Sequence, residues 1–250
     1  MLLTEVLVLI LCVGLLNAID KMSSFFKSIF SSRENPGIRL VVFDFDGTLA
    51  DTRKLIREII AKHLGKFNIS LTGHLIHILG NAPLHDYISL VGIRKDLVKI
   101  VTESIEHDFI TEYRRIKTCK NFSAVKDIKV RKIIVSNNST EFIEKTLHFW
   151  RANFFEGVLG ADHFSDKAHA IKHLCKKYSL SPNELVYVGD KDVDVDVARR
   201  VGCYSVVVSN KTSWSSHKEI AEKKPDYIVK DLGSLPEVIK IINSAELSSV

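Results

Sequence analysis

Leu40-Val41-Val42-Phe43-Asp44-Phe45-Asp46-Gly47-Thr48-Leu49 is the stretch on which the reading of this chain turns. Four apolar residues in a row, with no polar alternation, describe a strand buried on both faces, as in a parallel sheet covered by helices. The expected strand is Leu40 to Phe45. In extended backbone, residues two apart point the same way, so the Asp44 and Asp46 carboxylates share one side while Phe45 packs on the other. Gly47 then permits a sharp turn at the strand end. In an open parallel sheet that end is where ligands bind. Two carboxylates held so close repel, so one calls for a cation and the other tends to keep a proton near neutral pH. That combination is a nucleophile beside a general acid.

Outward from this stretch, apolar runs alternate with helical patterns. Strands are expected at Arg131 to Ser136, Gly157 to Leu159, Leu185 to Gly189, Tyr204 to Val208 and Tyr227 to Val229. Helices are expected at Thr140 to Trp150, Lys167 to Tyr178, Val193 to Val201, Ser216 to Glu222 and Ser234 to Ile242. Ser181-Pro182-Asn183-Glu184 has the capping-box form of a short helical turn. Between Thr52 and about Asn121 the apolar spacing is helical throughout, as in Leu55, Ile56, Ile59, Ile60 and Leu64. The expected fold is α/β, a Rossmann-like parallel sheet sandwiched by helices, with a small α-helical cap domain at 53–121 and a core formed by 39–52 and 122–245.

Three further features carry chemistry. The apolar run Ile133-Ile134-Val135 ends in Ser136 and Asn137 at the head of a helix. There a hydroxyl, backbone N–H groups and the helix N-terminus suit phosphate oxygens. Lys167 heads the next long helix. Leu185 to Gly189 runs into Asp190, Asp192 and Asp194. A few hard oxygen ligands, leaving room for water and phosphate, suit magnesium better than zinc or a full calcium cage. Taken singly, each has a plainer reading: the D-x-D pair a solvated loop, Ser136 a helix cap, Lys167 a surface lysine. Asp192 and Asp196 are expected to face solvent, and Tyr187 and Trp150 to lie in the core.

In this order the four features resemble the haloacid dehalogenase superfamily of phosphohydrolases, from Leu40 to about Val238. The resemblance implies Asp44 as nucleophile, Asp46 as acid/base and Thr48 in the turn beside the phosphate. It implies Ser136 with Asn137 at the phosphate, and Lys167 as the cation between phosphate and nucleophile. Gly189, Asp190, Asp194, Ala198 and Gly202 match the fourth motif, so that Mg2+ is held by Asp44, Asp190, Asp194 and the Asp46 carbonyl. A helical insert between the first and second motifs resembles the cap of the phosphoglycolate-phosphatase-like and β-phosphoglucomutase-like members. Ala168 stands where Pro is frequent, and Lys191 where Ser is common. The implied activity is hydrolysis of a small phosphate monoester, phosphoglycolate-like or a sugar phosphate, through an aspartyl-phosphate. A phosphomutase would use the same residues, and a silent binding module would be expected to have lost Asp44 or Asp46. A dehalogenase needs neither Asp46 nor a metal. In the insert, His85, Tyr87, Arg94 and Lys95 are candidates to touch substrate.

A net charge of +5 spread over both signs gives no footprint of a nucleic-acid binder. The four cysteines are scattered without metal-site or disulfide spacing, and the ten histidines form no metalloprotease motif. Residues 2–19 are almost wholly apolar and are followed, not preceded, by Lys21, Lys27 and Arg33. This supports two readings of 1–21: a membrane anchor with the rest of the chain cytoplasmic, or a start at Met22. Residues 22–38 are expected to be a linker.

Overall fold

A computed structural model of the chain describes residues 37–247. The apolar segment 2–19 and most of the expected linker lie outside the described residues. Among those described, no helix is long and apolar enough to cross a membrane.

The first strand, β1 (Leu40–Phe43), is buried along its whole length. It pairs in parallel with β4 (Arg131–Val135) on one side and β6 (Leu185–Gly189) on the other. With β5 (Gly157–Leu159), β7 (Tyr204–Val208) and β8 (Tyr227–Val229), these make a six-stranded parallel sheet in the order β5-β4-β1-β6-β7-β8. The chain fills one side of β1 first, then returns to fill the other. That reversal opens a crevice at the carboxyl ends of β1 and β6.

Both faces of the sheet are covered, as the unbroken apolar runs require. Val41 and Phe43 pack into one core with Phe142, Ile143 and Leu147 of α5 (Thr140–Phe149) and Val238, Ile239 and Ile242 of α9 (Leu235–Leu247). Leu40 and Val42 pack into another with Ile171 and Leu174 of α6 (Lys167–Lys177) and Ala198 and Val201 of α7 (Asp192–Val201). A short α8 (His217–Glu222) precedes β8.

The insert holds four helices: α1 (Arg53–Gly65), α2 (Gly73–Ile78), α3 (Leu84–Leu90) and α4 (Lys95–Glu112). The two long ones bury stripes at helical spacing, Ile56, Ile59 and Ile60 from α1 and Val98, Val101, Ile105 and Phe109 from α4. One feature the sequence reading lacked frames the insert. Antiparallel strands β2 (Ala50–Asp51) and β3 (Lys117–Thr118) pair at its two ends. Strands of two residues carry no periodicity, so no pattern could announce them.

Phe45, fully buried, fixes the back of the D-x-D segment. Its ring meets Phe142 edge-on with centroids 6.0 Å apart and stacks on Trp150 at 6.0 Å. Phe142 also contacts Phe109 of the insert. Truncating it leaves a cavity shared by sheet, helix and insert, so Phe142→Ala is expected to cost about 3–5 kcal/mol. Urea unfolding checks this, and a loss below about 1 kcal/mol would contradict the packing.

Candidate active site

Asp44 leaves β1 with its N–H donating to the Val188 carbonyl at 2.8 Å, so the sheet ladder holds its backbone. The chain then folds back on itself. Leu49 and Ala50 N–H both donate to the Phe45 carbonyl, and Gly47 N–H donates to the Ala50 carbonyl at 2.7 Å. Cys119, from the far end of the insert, donates its thiol to the Gly47 carbonyl. Gly47 sits at φ +80, and a Cβ there would lie 2.2 Å from Asp190 Oδ2 and 2.7 Å from Trp214 Cδ1. The left-handed turn and the close approach both demand glycine.

Carboxylate oxygens of Asp44, Asp190 and Asp194 lie within 4.8 Å of one another, all three buried. Each is oriented by the protein. Asp44 Oδ1 accepts from Phe45 N–H at 2.8 Å and pairs with Lys167 Nζ at 3.2 Å. Asp190 accepts from the Thr48 hydroxyl at 3.2 Å and from Trp214 N–H at 2.6 Å. Asp194 accepts from the Tyr187 hydroxyl at 2.8 Å and from the N–H groups of Asp190 and Lys191 at 3.1 and 2.9 Å. Lys167 also reaches Asp194 at 3.6 Å.

The electrostatics follow from burial. Desolvation pushes Asp44 up to about 6, against the pull of Lys167. It drives Asp190 well above the usual carboxylate range, with Asp194 and Asp44 adding repulsion. Asp46 is raised by burial too, while hydrogen bonds, that of Asn138 among them, pull it back. Burial works against the charge on Lys167, but Asp44 and Asp194 outweigh it and hold the ammonium above its ordinary value. One ammonium in ion-pair contact with two of three clustered carboxylates leaves uncompensated negative charge. All-oxygen donors, already oriented by neighbours, could hold a hard divalent cation in this cluster.

Asp46 faces a different set of partners. Asn138 Nδ2 lies 3.2 and 3.4 Å from its two carboxylate oxygens. Ser136 is buried at the end of β4, with its hydroxyl accepting from Asn138 N–H at 3.3 Å. Asn137 turns to the insert, donating to the Gly80 carbonyl at 3.1 Å. Lys191 does likewise, donating to the Leu79 carbonyl at 2.8 Å, with its ammonium 5.7 Å from the centre of the Trp214 ring. A cavity lies between core and insert, lined by Asp44, Asp46, Ser136, Asn137, Asn138 and Lys191 below and by insert side chains above.

Asp44, Asp46, Ser136 and Asn137 thus share one cavity, and Lys167, Asp190 and Asp194 gather around Asp44. Thr48 is fully buried and touches Asp190 rather than lining this cavity. Of the insert candidates only Tyr87 lines it. Arg94 is exposed and pairs with Asp96, Lys95 is exposed, and His85 lies against Asp86. Asp192 is half-buried and paired with Ser215, and Asp196 with Arg199 and Lys223. Sequence reasoning missed Asn138, Lys191 and Trp214. An S-N-N run after an apolar strand offers two amides, and only the fold says which one faces Asp46. Trp214 contributes a backbone N–H, which no residue type advertises.

The sequence matches the haloacid dehalogenase-like hydrolase family over residues 41–208. It is 31% identical over 112 residues to a phosphoglycolate phosphatase of Vibrio cholerae, a match covering 43% of this chain and 49% of that protein. It is 23% identical over 225 residues to the phosphoglycolate phosphatase of Vibrio vulnificus, covering 82% of this chain and 97% of the relative. Its fold is like that of a haloacid dehalogenase-like family hydrolase from Streptococcus pneumoniae, with a TM-score of 0.68 at 18% identity, over 80% of this chain and 98% of that one.

Gly47 offers a sharp check on this geometry. Gly47→Ala places a methyl group against Asp190 in left-handed backbone and is expected to destabilise by more than about 1–2 kcal/mol. Gly73→Ala, where a Cβ meets nothing within 4 Å, is the control and should be neutral or mildly stabilising. Equal melting temperatures for the two variants would contradict the close approach.

Proposed function

The chain belongs to the haloacid dehalogenase-like hydrolase family and is a phosphatase of that family, and we propose that it hydrolyses a small phosphate monoester with Mg2+ through an aspartyl-phosphate on Asp44. One observation carries the reading above the others. Asp44 lines the cavity with Asp46 two residues on, while Lys167 pairs with Asp44 and the Asp190 and Asp194 carboxylates lie within 4.8 Å of it. Nucleophile, proton carrier, ammonium and cation ligands meet at the adjacent ends of β1 and β6.

In the proposed cycle a carboxylate oxygen of Asp44 attacks phosphorus in line. The bond to the leaving oxygen breaks, and Asp46 gives that oxygen its proton. Asp46, now a carboxylate, then takes a proton from water as the water oxygen attacks phosphorus, and the bond to Asp44 breaks. Ser136 and Lys167 hold the non-bridging oxygens, with Asn137 beside them. For phosphoryl transfer, such positioning and charge stabilisation is most of the catalysis. Asn138 holds Asp46 toward the cavity. Thr48 acts through Asp190, whose orientation it fixes together with Trp214 N–H. Asp44, Asp190 and Asp194, with the Asp46 main-chain carbonyl, would hold Mg2+. When bound, that ion supplies charge neutralisation for nucleophile and phosphate. The helical insert acts as the cap that closes over the reacting groups. Phosphoglycolate, the substrate in the relatives' names, and sugar phosphates are the first compounds to assay.

Phosphate release is expected with Mg2+ and lost in EDTA, and full activity without divalent metal would refute the cation assignment. Asp44→Asn should abolish turnover and phosphoenzyme together. Asp46→Asn should lower kcat by ~10²- to 10⁴-fold and accumulate phosphoenzyme from activated substrates, because formation then needs the proton less than hydrolysis needs the base. Mass spectrometry locates the label. A label on any residue other than Asp44, or undiminished activity in Asp46→Asn, would overturn the assignment. Asp190→Asn should raise the Mg2+ concentration needed for half-maximal rate, and an unchanged titration would remove Asp190 from the ligand set.

A further inference from the structure

The cavity beside Asp44 and Asp46 is unevenly furnished. Its core side carries the polar groups already described. Its other walls are Ile56, Leu79, Leu84, Tyr87 and Phe109 from the insert, with Trp214 from the loop before α8. Among its described lining residues there is no arginine or histidine, and its one cation is Lys191. One of that ammonium's three donors is taken by the Leu79 carbonyl, and the indole face of Trp214 lies beside it. A leaving group with its own carboxylate would be desolvated against an apolar wall, near Asp44 and Asp46, with that single ammonium to answer it. A leaving group with several hydroxyls would strand most of them without hydrogen-bond partners.

Two polar atoms in these walls stand out for the opposite reason. The Tyr87 hydroxyl and the Trp214 indole N–H are buried and make no hydrogen bond among the described residues. Buried donors without partners are rare, and each asks for an acceptor from a ligand or water. Small-molecule sites pair mainly apolar walls with a few polar groups, and these walls have that character.

We propose that the alcohol released from the phosphate ester is a mainly apolar, ring-sized group that packs between the insert side chains and the Trp214 indole and offers an acceptor to Tyr87 or Trp214. This rests on the phosphatase reading and narrows its substrate class. The phosphate stays with Asp44 and Ser136, and the apolar body of the ester fills the remaining space. It disfavours phosphoglycolate and hexose phosphates as the best substrates of this chain, although relatives carry the former in their names.

The test compares four monoesters of primary alcohols, so that intrinsic leaving ability varies little: ethyl phosphate, benzyl phosphate, phosphoglycolate and glucose 6-phosphate. Phosphate release is read as kcat/KM with saturating Mg2+ on the full chain. Benzyl phosphate is expected to lead, exceeding ethyl phosphate by at least about tenfold through burial of the ring. Leu84→Ala should lower kcat/KM for benzyl phosphate roughly tenfold more than for ethyl phosphate. Tyr87→Phe should cost an ester with a ring acceptor, 4-pyridylmethyl phosphate, several-fold more than benzyl phosphate. Phosphoglycolate, glucose 6-phosphate or ethyl phosphate matching or exceeding benzyl phosphate overturns this inference and leaves the phosphatase reading intact. So does a benzyl preference that Leu84→Ala does not reduce. Release from none of the four by folded protein overturns the phosphatase reading, and this inference falls with it.

Discussion

Three buried carboxylates and a half-buried fourth, crowded at two adjacent strand ends, are the constraint on which the rest of this structure depends. Burying ionised carboxyl groups side by side is costly, both through lost hydration and through mutual repulsion. The protein meets that cost locally. Lys167 sits between Asp44 and Asp194, the Asp190 and Lys191 amides and the Tyr187 hydroxyl hold Asp194, and Thr48 and Trp214 N–H hold Asp190. What remains is negative charge in excess of one ammonium. That residual imbalance makes the site receptive to a cation, and it adds to the desolvation that chiefly pushes Asp44 and Asp190 toward protonation.

The sheet topology is what makes the crowding feasible. β1 is central and β6 is its neighbour, so the segments that leave them emerge side by side although far apart in the chain. Asp190 can then approach within hydrogen-bond reach of the turn after Asp46 only because position 47 has no side chain. β4, on the other flank of β1, brings Ser136 and Asn138 to the same edge. Asp46 therefore has a neutral amide as its partner while Asp44 has an ammonium. Two carboxylates with the same chemistry are thereby given different environments, the condition for one to act as nucleophile and the other as proton carrier.

Much of this was legible in the residues because it follows from local periodicity. The period-2 alternation of Asp44, Phe45 and Asp46 says which side chains share a face, and the apolar runs before Ser136 and Asp190 say where strands end. Lys167 was legible as the first residue of an amphipathic helix, although only the fold brings it within 3.2 Å of Asp44. The unread parts share a physical character. Thr48 and Tyr187 act through hydroxyls on neighbours 142 and 7 residues away, and Trp214 through a backbone N–H donated across 24 residues. Such contacts leave no spacing signal. Tyr187 reads as core from its place in an apolar run and is buried as core residues are, yet its hydroxyl also holds Asp194. Burial and function are not alternatives for a side chain with an apolar ring and a polar tip.

The insert joins this scheme through backbone carbonyls rather than through charged pairs. Leu79, just past α2, gives its carbonyl to Lys191, and Gly80, at φ +80, gives its carbonyl to Asn137. Both donors lie next to residues of the reacting centre, Lys191 between Asp190 and Asp194 and Asn137 between Ser136 and Asn138. The segment at 79–80 is thus tied to the strand ends of β4 and β6 at once, and the apolar residues it carries are set at a fixed height above Asp44 and Asp46. Lys191 also spans two tasks that conflict. Burial lowers its affinity for a proton while Asp190 and Asp194 favour its charge. Burial outweighs them and lowers its affinity for a proton overall, and no carboxylate lies at ion-pair distance from it among the described residues. A lysine so placed adds positive potential to the cavity, on the side where Asp44 and Asp46 concentrate negative charge.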